Sequence, residues 1–413
     1  MTTYIVIAAK PASVEISGLL TLELRRARQA SQLARHRDLL AQSLSDPARA
    51  ALLRSVSGSP PATPWRGSGT RRMRPPQSLD ALGAIIIDSL STDEIDRLRE
   101  QGAHVIENRE IEGFDPIVGP SSITSGVAPT VPWHLSKIGA PAYHARGITG
   151  AGVTIGIADS GIDPNHPEFL GKTVYYQAFD GAGTQLTHGA KDYGHHGTHV
   201  SGIAAGGRCG VAPAASLAIA AVLTDDGGRK GTLAQVLAGL NWLSQTDFPT
   251  GPVSVINASL GSKGYNDYAY QPLRDARNLQ GVTVVAAIGN AGPQLDQHGS
   301  PGNYDCAIGV GATDDADAVA PFSDYGTVVQ HGGIHKPDLC APGVLILSAL
   351  PQATYGELGG TSMASPVVAG ACALLIQERP ELSFAPDGLL RAILGATIPL
   401  PQQRGSGRGR LQL

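Results

Sequence analysis

The 413-residue chain is predicted to fold as a doubly wound α/β domain, a mostly parallel sheet with helices on both faces, preceded by a small α+β ferredoxin-like unit. Three observations carry that prediction. Beyond residue 150, the strand-like runs Val153–Ala158, Leu217–Leu223, Val253–Ala258, Val282–Ile288 and Ala307–Val310 are short, rich in Val, Ile and Ala, and not alternating. Strands of that kind are buried on both faces, as in a parallel sheet covered by helices. Helical patterns alternate with them, beginning near Gly197, over Leu233–Leu243 and after Ser362, which is the order of βαβ units. Finally, residues 113–131 shift to Gly, Pro, Ser and Thr, marking a linker between residues 1–112 and a larger domain over 132–413.

In the N-terminal unit, Tyr4-Ile5-Val6-Ile7 predicts a strand within residues 2–10. From Leu19 to Val56 apolar residues recur at helical spacing among many arginines, and Asp46-Pro47 divides the stretch into two helices with a solvated basic face. Residues 57–77 carry almost nothing to bury and are expected to be a mobile loop. Leu82–Ile87 is a strand. Ser91 and Glu94 have capping-box spacing for a helix over Ile95–Gln101 that stops at Gly102, and Ala103–Glu107 closes the unit as a last strand.

With 42% hydrophobic residues, the 52 glycines and 29 prolines indicate many turns rather than disorder. A net charge of −4 gives no reason to expect nucleic acid or an anionic membrane as partner. No apolar run approaches the roughly 20 residues that span a bilayer, so a soluble product is expected. The start, Met1-Thr2-Thr3-Tyr4-Ile5-Val6-Ile7-Ala8-Ala9-Lys10, lacks the basic leader, long apolar stretch and cleavage site of a signal peptide, which points to the cytoplasm while leaving export by another route open. Cys209, Cys306, Cys340 and Cys372 are scattered without a Cys-x-x-Cys pair and are read as buried free thiols.

In a doubly wound sheet, sites gather at the carboxyl ends of strands. The first strand runs into Asp159-Ser160-Gly161-Ile162-Asp163, which puts a carboxylate able to orient a base at a strand tip. His195-His196-Gly197-Thr198-His199 starts a helix after a Gly-rich loop, and one of these histidines can be that base. Val282–Ile288 leads to Gly289-Asn290-Ala291-Gly292, whose amide is a neutral donor for a developing oxyanion. Gly360-Thr361-Ser362-Met363-Ala364-Ser365-Pro366 opens an Ala-rich helix with Pro366 in its first turn. Ser362 then sits where unpaired amides and the positive end of the helix dipole favour a nucleophile. Singly, each motif also has a structural explanation, since a carboxylate or amide at a strand tip commonly caps a turn.

Together and in this order, with Ala-Ser-Leu-Gly at 258–261, the motifs resemble those of the subtilisin-like serine proteases, the subtilases, from about residue 133 to the C-terminus. The resemblance implies a serine endopeptidase with Ser362 as nucleophile, His196 as general base and Asp159 holding the imidazole in the productive tautomer. Asn290 and the Ser362 amide would form the oxyanion hole. His199 would be a packed helix residue, His195 a loop neighbour and His166 a structural position. Substrate would pair as an extended peptide between Ser259-Leu260-Gly261 and the segment Gly228–Thr232, including Gly231, with a specificity-pocket wall near Gly299–Asn303. Asp225 and Asp226 would either favour basic substrate residues or simply form an acidic turn. No cofactor is required. Glu168 matches one acidic calcium ligand of the family, but Ala205–Pro213 is a short turn where better-known members carry a longer calcium loop, so structural calcium stays open while the usual tight site is expected to be missing. Val367 stands where many relatives have histidine, beyond the triad.

Residues 1–112 resemble the inhibitory propeptide of subtilases. That implies a monomeric, self-inhibited zymogen whose tail after Arg109 threads the cleft, with autoprocessing between about Glu112 and Pro132. The expected partners are protein or peptide substrates and the chain's own N-terminal domain.

Overall fold

A computed structural model describes residues 2–7, 34, 37–38, 40–55, 74–114, 117–118, 124–125, 131–292, 298–401 and 404–413. Its first four strands, β1 (Thr3–Ile7), β2 (Gln77–Leu79), β3 (Ala84–Asp88) and β4 (His104–Glu107), form an antiparallel sheet in the order β2-β3-β1-β4. Side chains alternate across it. Val6, Ile85, Ile87 and Val105 face helices α1 (Pro47–Ser55) and α2 (Thr92–Glu100), joining a core with Leu53 and Leu98. Ile5, Ile7, Ile86 and Ile106 face the larger domain. Burial on both sides explains why Ile85-Ile86-Ile87 is continuous rather than alternating. The Ser91–Glu94 capping box is present at α2. β2 was not foreseen, because three residues give no period to read. The loop expected over 57–77 lies, for residues 57–73, outside the described residues. Beyond β4 come β5 (Glu110–Gly113), β6 (Ile117–Val118) and β7 (Thr124–Ser125), whose partners lie in the larger domain.

In chain order the larger domain contributes β8 (Thr154–Asp159), β9 (Val174–Phe179), β10 (Gln185–Leu186), α3 (His196–Ala205), β11 (Ser216–Ala221), β12 (Leu223–Asp225), β13 (Lys230–Thr232) and α4 (Leu233–Gln245). There follow β14 (Val255–Ala258), β15 (Leu260–Gly261), β16 (Thr283–Ala287), β17 (Ala307–Thr313), β18 (Leu339–Pro342), β19 (Ile346–Leu350), β20 (Thr354–Gly359), α5 (Thr361–Glu378), α6 (Pro386–Gly395), β21 (Thr397–Ile398) and β22 (Arg410–Leu411). Ten of these strands form one sheet in the order β10-β9-β11-β8-β14-β16-β17-β18-β22-β21, parallel throughout except at its two outermost pairs. The fold is the expected doubly wound, mostly parallel α/β sheet with helices on both faces.

Neighbouring residues on one strand serve opposite layers. Ile155, Ile157, Val255 and Val285 pack with α3 and α5, whereas Ile256, Val284 and Ala286 pack with α4. The β1–β4 sheet docks on that same α4. Its apolar face joins the α4 core, the Ala81 amide donates to Asn241 Oδ1 at 2.9 Å, and Asn108 Oδ1 accepts the Ala234 amide at 2.9 Å. An acceptor at the first turn of a helix satisfies one of its unpaired amides. No helix among the described residues is long and apolar enough to cross a membrane.

Candidate active site

Asp159 ends β8, and two residues on Gly161 takes φ +121°, where an added Cβ would stand 2.1 Å from the Lys191 carbonyl oxygen. Only glycine fits there. A Cβ on Gly197 would lie 2.2 Å from the Gly161 carbonyl oxygen, so the first turn of α3 rests directly on the turn that follows Asp159. Asp192 holds the two together. Its Oδ1 accepts from Ser160 Oγ at 2.7 Å, and its Oδ2 accepts the amide and hydroxyl of Thr198 at 2.7 and 2.6 Å. A carboxylate taking the amides of a helix's first turn is favoured by the helix dipole. Sequence reasoning missed Asp192; its position four residues before His196, ahead of a helix start, was the available signal.

His196 Nδ1 therefore lies 2.8 and 3.0 Å from the carboxylate oxygens of the fully buried Asp159. An Nδ1–H donated to that carboxylate leaves Nε2 as the basic nitrogen. The neighbouring histidines do other work. His199 is fully buried with Nε2 3.0 Å from the Gly356 carbonyl oxygen, and burial pushes its pKa down to about 3, so it stays neutral. Burial, and then the neighbouring His196, also lower the pKa of His195. His166 bridges the Thr354 carbonyl, at 2.9 Å from Nε2, and the Glu168 amide, whose hydrogen its Nδ1 accepts at 3.1 Å.

Ser362 is the second residue of α5, fully buried, with Oγ 3.4 Å from the Ser259 carbonyl oxygen. Pro366 was expected in the first turn of this helix. The helix instead starts at Thr361, which puts Pro366 inside it. Proline has no N–H, so the Ser362 carbonyl, four residues earlier, loses its helical donor. The Ser259 hydroxyl fills the gap, donating to that carbonyl at 2.9 Å, while accepting from Asn257 Nδ2 at 2.9 Å. The buried Ser259 side chain thus braces the nucleophile's turn from below, while the paired residues of this cleft edge are Leu260 and Gly261.

Asn290 follows β16. Its Oδ1 accepts the amide and the hydroxyl of Thr361 at 2.9 and 2.8 Å, which fixes the orientation of the side-chain amide. Nδ2 is thereby turned toward Gly360, where an added Cβ would lie 3.1 Å from it. Asp324 supports this loop by accepting the Gly292 amide at 2.9 Å. Burial raises the Asp324 pKa to about 6.

The cleft beside Ser362 is occupied by the chain itself. β5 lies antiparallel between β13 and β15, with Gly231 opposite Ile111, Leu260 opposite Gly113 and Gly261 opposite Glu112. The Gly113 amide donates to the Arg229 carbonyl at 2.7 Å. Phe114 is buried in the next position, its Cζ 2.8 Å from where a Cβ would stand on either Gly261 or Gly299. Two glycines therefore make the slot for this ring, one of them in the expected wall near Gly299–Asn303. On the far side, β6 and β7 pair with β20, Ile117 opposite Gly359 and Ser125 opposite Thr354. Asp225 and Asp226 form a turn closed on itself: the Gly228 and Arg229 amides donate to the Asp225 carbonyl at 3.0 and 3.1 Å, and Asp226 pairs with Arg229 at 3.2 Å.

Both Glu168 carboxylate oxygens are engaged by protein donors. Its Oε2 accepts the Arg208 and Cys209 amides at 2.7 and 3.1 Å and the Cys209 thiol at 3.2 Å, while Oε1 accepts the Tyr355 hydroxyl at 2.8 Å. Burial alone would raise its pKa, but these donors more than offset that and hold it below the usual carboxylate value. Among the described residues, no group of three or more His, Cys, Asp or Glu side chains is arranged to hold a metal ion.

Residues 150–408 match the family model described as "Subtilase family". Over 261 residues the chain is 39% identical to Subtilisin BL of Lederbergia lenta, spanning 62% of this chain and 88% of that protein. It is 38% identical over 262 residues to an alkaline protease of Shouchella clausii, spanning 62% of each chain. With Subtilisin NAT of Bacillus subtilis subsp. natto it shares 37% identity over 267 residues, spanning 62% of this chain and 64% of that one. These relatives also overturn the expected cytoplasmic location, because they are secreted extracellular proteases. The absence of a leader-like pattern at the start was too weak a ground for it. The chain belongs to the subtilase family and is a serine endopeptidase with an Asp-His-Ser triad.

Proposed function

We propose that this endopeptidase works through an acyl-enzyme on Ser362 and is made as a self-inhibited zymogen that cuts its own chain after Phe114. In this reading His196 Nε2 takes the Ser362 proton as Oγ attacks the substrate carbonyl, and Asp159 stabilises the imidazolium through Nδ1–H. The oxyanion receives hydrogen bonds from Asn290 Nδ2 and the Ser362 amide, at the positive end of a helix of 18 residues. His196 then returns the proton to the leaving amine. A water activated by the same base releases the acyl group.

The observation that carries the proposal is the seating of β5 between β13 and β15. One further step of the β15 register brings Phe114 opposite Ser259, whose carbonyl oxygen is 3.4 Å from Ser362 Oγ. The bond on the carbonyl side of Phe114 is thus the one presented to the nucleophile. Residues 1–112 act as the inhibitory domain in this reading, anchored by their apolar face on α4, and the processing linker spans 113–131. Main-chain pairing with both cleft edges makes the tail a strong competitor for substrate. No cofactor takes part. The test is labelling with a fluorophosphonate probe. Processed protein should be modified at Ser362 and Ser362→Ala should not; unlabelled processed protein refutes the proposal.

A further inference from the structure

The strand in the cleft carries two carboxylates on one side. Glu110 and Glu112 alternate with Ile111, so they share the face of β5 opposite to it. Ile111 lines an apolar cavity together with Leu233, Val236, Leu260, Leu273 and Tyr304. On the acidic side, Lys230 of β13 stands directly across from Glu112, and its Nζ lies 2.8 Å from Glu110 Oε1 and 3.9 Å from Glu112 Oε1. One ammonium spans two residues of the bound strand. The other cation of this edge, Arg229, turns its guanidinium to Asp226 at 3.2 Å and offers the bound strand only its carbonyl. Upstream, the Arg109 guanidinium lies 3.8 Å from the centre of the Tyr268 ring.

We propose that Lys230 is a specificity-determining residue that selects substrates with carboxylates at the third and fifth positions before the cut bond, counting Phe114 as the first. This rests on the reading of β5 as a substrate-like strand. A peptide entering after β5 leaves would pair with the same edge in the same register, so its third and fifth side chains would meet the same Nζ. An exposed pair of this kind gives modest, salt-sensitive discrimination. About three- to fivefold in kcat/KM is expected for replacing both carboxylates with amides, and a larger factor for replacing them with ammonium groups.

The test uses the full chain after its own processing and three chromogenic peptides, Glu-Ile-Glu-Gly-Phe, Gln-Ile-Gln-Gly-Phe and Lys-Ile-Lys-Gly-Phe, each with a p-nitroanilide leaving group. The expected order of kcat/KM is acidic, then neutral, then basic, narrowing in high salt and inverting in Lys230→Glu. Equal rates for the three peptides overturn this inference alone, and so does an acidic preference that survives in Lys230→Glu. Failure to cleave any of them overturns the protease reading with it. The chain's own cleavage gives an independent readout. Glu110→Lys with Glu112→Lys should slow self-processing, and adding Lys230→Glu should restore it; a triple variant as slow as the double contradicts the assignment.

Discussion

The Ser259 hydroxyl is the part of the site whose removal has the most calculable consequence. Ser259→Ala deletes the donor to the Ser362 carbonyl and the acceptor for Asn257 Nδ2, both at 2.9 Å and both in the buried interior. Each polar group so stranded costs about 1–3 kcal/mol, because it has lost water and gained nothing. The predicted loss is therefore about 2–6 kcal/mol. For a domain of this size that lowers Tm by roughly 4–24 °C, at about 2–4 °C per kcal/mol. Thermal unfolding would be followed in a Ser362→Ala background, which removes self-cleavage from the measurement. The structure also predicts a rescue. Pro366→Ala returns an N–H four residues beyond Ser362, so the carbonyl regains a helical donor. In the double-mutant cycle, Ser259→Ala should then cost at least about 1 kcal/mol less than it does beside Pro366. A loss below about 1 kcal/mol, or additive single effects, would refute the idea that this hydroxyl replaces the missing proline donor.

Three further outcomes follow from buried groups. Burial lowers the pKa of His134 to about 4 and of His199 to about 3, so both imidazoles oppose acid, and stability from them falls as pH drops below about 6.5. Burial raises Asp275 and Asp324 to about 6, with the opposite sign: their contribution is full below about 3.8 and fades as pH rises through 6. Asp324→Asn should therefore make the fall in Tm between pH 6 and 4 steeper than in the parent, and parallel profiles would contradict this. Because protein donors engage both Glu168 oxygens, added calcium should not raise Tm by way of this site; a calcium-dependent Tm abolished by Glu168→Gln would overturn that. The four cysteines are buried free thiols, with burial pushing Cys306 and Cys340 up to about 12. A disulfide-exchange reagent should label none in the native protein and all four after denaturation, and rapid native labelling would count against the packing described.

The residues proposed for the chemistry, Asp159, His196, Asn290 and Ser362, stand in the sequence as short motifs at strand or helix ends. Singly those motifs also fit turn caps, and the roles came from the family that the motifs resemble in this order. What joins them was less readable. Asp192 touches Ser160 and Thr198 through a loop whose path no local pattern gives, and the brace from Ser259 to Ser362 crosses 103 residues. The Ile85–Ile87 run announced a buried strand but not that its second face would rest on α4, since a continuous apolar stretch does not say what covers it. Lys230 was not singled out within the Gly228–Thr232 segment. Its meaning depends on the register of β5, which sequence spacing does not encode. Pro366 was misplaced for a physical reason: a helix tolerates an internal proline when another group takes over the orphaned carbonyl, and that group lay far away in the chain.

In the proposed self-cleavage, the chain presents the carbonyl of Phe114 to its own Ser362. Intact-mass and N-terminal analysis of the purified full-length protein, beside Ser362→Ala, tests it most directly. The predicted result is two fragments from the parent, one ending at Phe114 and the other beginning at Asp115, and a single uncut chain from Ser362→Ala. A cut at another bond in the parent, or the same cut in Ser362→Ala, would contradict it.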